Sequence, residues 1–182
     1  KMNTFLQDKY DMKEFSHVPL SNQLPDIHTE TVKGKRFYVT PEGKKYPSIT
    51  TVLSGRNSEG LVRWRQSVGN DVANNIMRTA AKRGTAVHTL VENYLNNEEL
   101  SNQDVLPTAL FTLLKPELDN INNIRIQEGG LYSDYYGVAG RVDCIADYKG
   151  VLSVIDFKTS TKEKKEEWVE NYFIQGSAYC EM

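Results

Sequence analysis

Cysteine is scarce in this chain. Its 182 residues include only Cys144 and Cys180. Two thiols do not make the disulfide framework of a small secreted domain, so a reduced intracellular protein is expected. An iron–sulfur cluster needs about four thiolate ligands, which this chain cannot supply. Long apolar runs are missing too. None approaches the ~18 residues of a membrane span, so no membrane association is expected. Excess positive charge is also absent, with 22 Lys and Arg against 24 Asp and Glu and a net charge of −2. Nucleic-acid-binding domains are usually basic, so the balance does not advertise one. Nor does it exclude one, because a metal-dependent nuclease gathers acids at its centre and can cluster bases elsewhere. No secretory signal or Arg-rich transit segment is visible near residue 1. The remaining composition, 39% hydrophobic and 25% charged, is that of one globular domain with a sizeable core.

The most informative stretch runs from Gly140 to Ser160. It reads as two strands of β-branched and aromatic residues joined by a turn at Lys149-Gly150. Counting outward from a two-residue turn sets Asp143 opposite Asp156, with Cα atoms about 4.5–5.5 Å apart. Lys158 shares that face, as do Leu152 and Val154, while Val151, Ile155 and Phe157 cover the other. A strand buried on both sides and ending in Asp-x-Lys is therefore expected. Two carboxylates directly opposite repel. A bound divalent cation neutralises them most simply, and oxygen ligands select a hard ion, Mg²⁺ or Mn²⁺. Lys158 can then hold a phosphate oxygen or help deprotonate a metal-bound water, the chemistry of phosphodiester hydrolysis. The bland alternative is a solvated ion cluster on a surface hairpin.

At these residues the sequence resembles the PD-(D/E)xK nuclease superfamily, in its RecB-like exonuclease branch. Asp143 stands at the first acid and Asp156-Phe157-Lys158 at the (D/E)xK, with Val142 where the Pro of the name would be. Arg83-Gly84-Thr85-Ala86-Val87-His88 resembles the helix with the branch's metal-binding His. Gln175-Gly176-Ser177-Ala178-Tyr179 resembles its downstream Q-x-x-x-Y helix. Lys35 to Tyr38 and Tyr46 to Leu53 are similar to the N-terminal region of the mitochondrial genome maintenance exonucleases and their phage relatives. The resemblance implies a restriction-endonuclease-like α/β core, a mixed central β-sheet flanked by helices, with an N-terminal hairpin and helical region. It implies metal ligation by His88, Asp143, Asp156 and the Phe157 carbonyl, catalysis by Asp143, Asp156 and Lys158, and ordering of the site by Gln175 and Tyr179. It further implies DNA as partner, preferably single strands with free ends. A location in the bacterial cytoplasm during phage infection is expected, with the mitochondrial matrix as the alternative.

The rest of the chain is read in that light. Residues 1–31 read as an extended arm with His17 and His28 in solvent, and 32–182 as the nuclease domain. Val32 to Tyr46 reads as a hairpin with a basic edge and interleaved aromatics. There Arg36, Lys44 and Lys45 either track a single strand or protect the sheet edge. Ser48 or Thr50 caps a short helix ending near Gly55. Leu61 opens the next, where Trp64 is read as core and Arg63 and Arg65 as backbone contacts. A helix over Asp71 to Ala81 is expected to break at Gly84 before another from Thr85 to Asn96. Val87, Leu90, Val91, Tyr94 and Leu95 form its apolar stripe, His88 borders it, and Glu92 lies one turn further on. Arg83 stands ready for a phosphate.

A helix from Pro107 to Ile121 is expected, interrupted at Pro116. Asn123 to Glu128 reads as a strand ended by a turn at Gly129-Gly130, making a meander with 140–147 and 151–158. Glu128 is either a third acid near the metal or a salt-bridge partner. Lys162 lies in a charged loop that either guides DNA or is simply solvated. Trp168, Tyr172, Gln175 and Tyr179 share one stripe of the last helix. Relatives continue beyond it with a further strand, so either the chain is cut short at Met182 or that edge is dispensable. The reading is a metal-dependent DNA exonuclease of replication, repair or recombination. Its rivals are a non-catalytic DNA-end-binding module and a structure-specific endonuclease.

Overall fold

The computed structural model describes residues 12–55, 58–100, 104–160 and 169–182. It is an α/β protein in which two antiparallel three-stranded sheets and five helices are described. The expected mixed sheet is thus replaced by two antiparallel ones joined by a parallel bridge between Ser48 and Ala139. No helix among the described residues is long and apolar enough to cross a membrane.

The first sheet comprises β1 (His28–Val32), β2 (Lys35–Val39) and β3 (Lys45–Pro47). It begins four residues earlier than the sequence suggested, because β1 pairs along its whole length with β2. Ser48 then caps α1 (Ile49–Ser54) as expected, its side chain accepting from the Thr51 amide at 3.1 Å. The stretch read as an arm does more than extend. Phe15 is 3% exposed and meets Tyr94 edge-to-face, and the Ile124 amide donates to the Ser16 carbonyl at 2.8 Å. A single aromatic in a polar segment has no periodicity to announce such burial.

α2 (Ser58–Val68) precedes α3 (Asn70–Leu95), which is one continuous helix of 26 residues. Gly84 does not break it. A glycine costs a helix only about 1 kcal/mol, and the buried stripe of Val87, Leu90, Val91, Tyr94 and Leu95 anchors the helix just beyond it. α4 (Val105–Leu118) likewise runs through Pro116 rather than stopping there. It packs on α3, with Phe111 against Tyr94.

The second sheet positions the site. Its order is β4 (Ile121–Ser133), β5 (Val138–Tyr148), β6 (Val151–Ile155), the meander expected from the sequence. Lys149 and Gly150 both have positive φ, 51° and 82°, which makes the tight two-residue turn. Pairing then runs from Tyr148–Val151 to Cys144–Ile155, the register counted from the turn. Two features differ. First, Gly129 and Gly130 do not turn the chain; they lie inside β4, paired with Val142 and Arg141. A Cβ at Gly130 would lie 2.5 Å from Ile27 Cγ1, so the glycines make room for the preceding segment crossing the strand. Second, β6 ends at Ile155 and is not buried on both faces. Val151 and Leu152 are 65% and 61% exposed, because β6 is an outer strand paired only with β5 among the described residues.

Two apolar clusters meet the β4–β5 pair. One joins Phe15, α3 and α4 to Ile121, Ile124, Cys144 and Ala146. The other joins Ile49 and Leu53 of α1 to Val142 and to Tyr179 of α5 (Glu170–Cys180). Helices on both clusters hold the middle of β5, which carries Asp143, between α3 and α5.

Candidate active site

Asp143 comes from β5, His88 from α3 and Glu128 from β4. One ligand atom from each lies within 4.8 Å of the others. The peptide of Phe157 organises them. Its N–H donates to Asp143 Oδ2 at 2.7 Å, and its carbonyl lies 2.8 Å from His88 Nε2. When Nε2 carries the proton it donates to that carbonyl, and Nδ1 presents its lone pair to the acids. Nδ1 stands 3.9 Å from Glu128 Oε1 and 3.8 Å from Asp143 Oδ2. Metal-bound histidines commonly bond a carbonyl through their other nitrogen in this way. The Phe157 carbonyl, expected as a ligand, thus stands where it orients His88.

Electrostatics point the same way. Burial pushes the Asp143 carboxyl up to about 6, and the charge of Asp156 adds to this; the Phe157 amide, His88 and Lys158 oppose it. His88 is raised above the usual imidazole value, first by bonding to Glu128, then by Asp143 and the Phe157 carbonyl, against burial. Two carboxylates this close are stabilised by a positive charge among them, which a protonated His88 or a bound cation can supply. Their donors, two oxygens and one nitrogen, suit a hard divalent cation.

Asp156 follows the last residue of β6, and its Oδ2 lies 2.5 Å from Lys158 Nζ. It therefore turns to the lysine, and Glu128 takes its place in the three-residue group. The ladder explains this: with β6 stopping at Ile155, Asp156 is released from the pairing that would hold it against Asp143. Lys158 Nζ also stands 5.6 Å from the ring centre of Tyr172.

A cavity of about 230 Å³ brings together Arg36, Glu128, Arg141, Asp143, Asp156 and Lys158. Gln175 and Tyr179 line it as well, both buried, with Gln175 Nε2 donating to the Tyr179 hydroxyl at 3.0 Å. Burial pushes the Tyr179 phenol up to about 12, so it stays neutral. On the other side of His88 and Glu128 lies a second cleft, lined by Gly84, Thr85 and Glu92.

Gly140 sits directly under Tyr179, where a Cβ would lie 2.6 Å from Cε1 of that buried ring. Gly140→Ala is expected to cost about 1–3 kcal/mol in urea unfolding and to lower turnover by displacing Tyr179 and Gln175. A variant as stable and active as the parent would show the ring yields freely.

The basic residues named from sequence separate. Arg36 reaches the cavity. Lys44 pairs with Asp134 at 2.9 Å and Lys45 with Glu30 at 2.6 Å, as edge-protecting lysines do. Arg65 donates to Asn74 Oδ1 at 2.6 Å, while Arg63 is exposed and Trp64 half-buried on α2. Arg83 is half-buried, its Nε without a partner among the described residues. Lys162 and Trp168 lie outside the described residues. Arg141 escaped the sequence reading, although it stands two residues before Asp143 and thus on the same side of the strand. Counting that strand backward would have found it.

No protein-family model matches the chain. It is 27% identical over 129 residues to the mitochondrial genome maintenance exonuclease 1 of Homo sapiens. It is 27% identical over 128 residues to that of Mus musculus. The match takes in 65% of this chain and 38% of each relative, so the chain spans well under half of the curated proteins it matches. The chain is a distant homologue of mitochondrial genome maintenance exonuclease 1.

Proposed function

We propose that this protein is a divalent-metal-dependent DNA exonuclease that hydrolyses phosphodiester bonds in single strands with free ends, using Mg²⁺ or Mn²⁺. The observation that carries the reading is the His88–Glu128–Asp143 group, whose two acids share one cavity with the Asp156–Lys158 pair. The distant relationship to a named exonuclease supports it. On this reading β4 to β6, with α3 and α5, are the restriction-endonuclease-like core.

His88, Glu128 and Asp143 would hold the cation, with Asp156 reaching it from the opposite strand end. The cation, when bound, polarises the scissile phosphate and lowers the pKa of a water. Phe157 keeps His88 in the ligating tautomer and Asp143 in place. Lys158 orients the attacking water or balances the charge that develops on the phosphate oxygens. Water adds to phosphorus, the bond to the leaving oxygen breaks, and that oxygen takes a proton. Gln175 and Tyr179 wall the site and keep its acids aligned.

Labelled single-stranded DNA, linear and circular, separates the rival readings, with duplex DNA alongside. Linear strands are expected to shorten with Mg²⁺ or Mn²⁺ and to stay whole in EDTA, while circles survive. Cut circles would make the protein an endonuclease. Binding to linear ends without cleavage by any divalent ion would make it a binding module.

A further inference from the structure

The cavity beside the metal-ligand group carries opposite charges on its walls. Glu128, Asp143 and Asp156 line it with Lys158, and Arg36 and Arg141 line it too. Lys158 is paired with Asp156. The two arginines are uncommitted: among the described residues, neither side chain takes part in a hydrogen bond or ion pair. Both are exposed, so their charge is available from solvent.

Their placement follows from how the two sheets join. Arg36 opens toward the joint from β2, and its carbonyl accepts from the Ser48 amide at 3.2 Å. Ser48 in turn forms the parallel bridge to Ala139 of β5. Two residues further along β5 is Arg141, and two beyond that is Asp143. Backbone bonds thus link the two arginines through Ser48 and Ala139, at a set distance along β5 from Asp143. Ser48 itself is occupied as a helix cap, its Oγ also 2.7 Å from Thr51 Oγ1.

An acid-lined pocket repels a polyanion unless something beside it attracts one. Guanidinium groups do so with directional, paired N–H donors that match phosphate oxygens. We propose that Arg36 and Arg141 together form an anchor for a phosphate of the substrate strand neighbouring the one being cleaved, at the joint of the two sheets. The inference rests on the nuclease reading. It makes both arginines positioning residues, not catalytic ones.

The test uses the full chain with a fluorescent 12-nucleotide single strand. Kd is measured in EDTA, and kcat and KM with Mn²⁺, for Arg36→Ala, Arg141→Ala, the double variant and both Arg→Lys variants. Each alanine is expected to raise Kd and KM by about 5- to 50-fold with kcat within about threefold. Each should also flatten the slope of log Kd against log salt by roughly 0.7. The lysine variants should keep that slope while recovering only part of the affinity. A loss confined to strands with a terminal phosphate assigns the anchor to a monoester end; an equal loss with hydroxyl ends assigns it to a diester within the strand. Unchanged Kd, KM and salt slope in the double variant would overturn the anchor. A parent that binds in EDTA but never cuts with Mn²⁺ would overturn the nuclease reading instead, and Kd would then test the anchor alone.

Discussion

Lys158→Ala is expected to lower kcat roughly 10²–10³-fold or more while leaving the affinity for a single strand within a few-fold. Removing one preorganised charge from an active site typically costs that much, because the charge acts on the transition state and hardly on the bound strand. Lys158 is placed for such a role. Its ammonium is tied to Asp156 at 2.5 Å in the cavity that also holds Asp143. Lys158→Arg should not restore turnover, since a planar fork cannot take the place of a compact ammonium. Asp156→Ala should be at least as damaging, because it leaves Lys158 without its partner and removes an acid proposed to reach the cation. Single-turnover cleavage with saturating Mn²⁺, alongside Kd in EDTA, reads both effects. Near-normal cleavage by purified Lys158→Ala would remove the lysine from the mechanism.

Asp143→Asn should act in two directions at once: cleavage is lost, and the metal-free protein becomes more stable. Asp143 is half-buried, and its carboxyl is pushed from 3.8 up to about 6. A folded-state value above the unfolded one means that the folded protein holds the proton more tightly. Stability from this group is therefore complete below about pH 4 and is lost as pH rises through about 6. The loss is on the order of 2–3 kcal/mol by pH 8. Asparagine keeps an oxygen to accept from the Phe157 amide and has no charge to bury. In EDTA the variant should thus exceed the parent in urea-unfolding stability at pH 8, by a margin that shrinks toward pH 5. Adding Mn²⁺ should stabilise the parent and leave the variant unmoved, since only the parent retains the ligand. A variant less stable than the parent at pH 8 in EDTA would show that Asp143 supports the fold rather than straining it.

Much of the hairpin's geometry was legible because it obeys local rules. Lys149-Gly150 sets a two-residue turn, and a period of two then gives the pairing from Tyr148–Val151 out to Cys144–Ile155, one step short of Asp143 and Asp156. The Ser48 cap and the buried stripe of α3 follow from equally short spacings. Reading failed where a local signal was outweighed. Gly84 and Pro116 look like breaks, yet each sits in a helix whose buried residues hold it on both sides. Gly129-Gly130 looks like a turn, yet it is a strand thinned so that Leu24 and Ile27 can cross it.

What the order of residues determined by itself was the set of chemical groups and the spacing of those on one hairpin: two acids, a lysine and the turn that sets the register of the strands leading to them. What only the tertiary structure decided was which distant groups complete them. Glu128 joins His88 and Asp143, the Phe157 peptide bonds the last two, and Arg36 and Arg141 come to line one cavity. Each of these depends on segments far apart in the chain being packed together. Periodicity and turn rules act over a few residues and carry no information about such meetings; burial of the two apolar clusters supplies it.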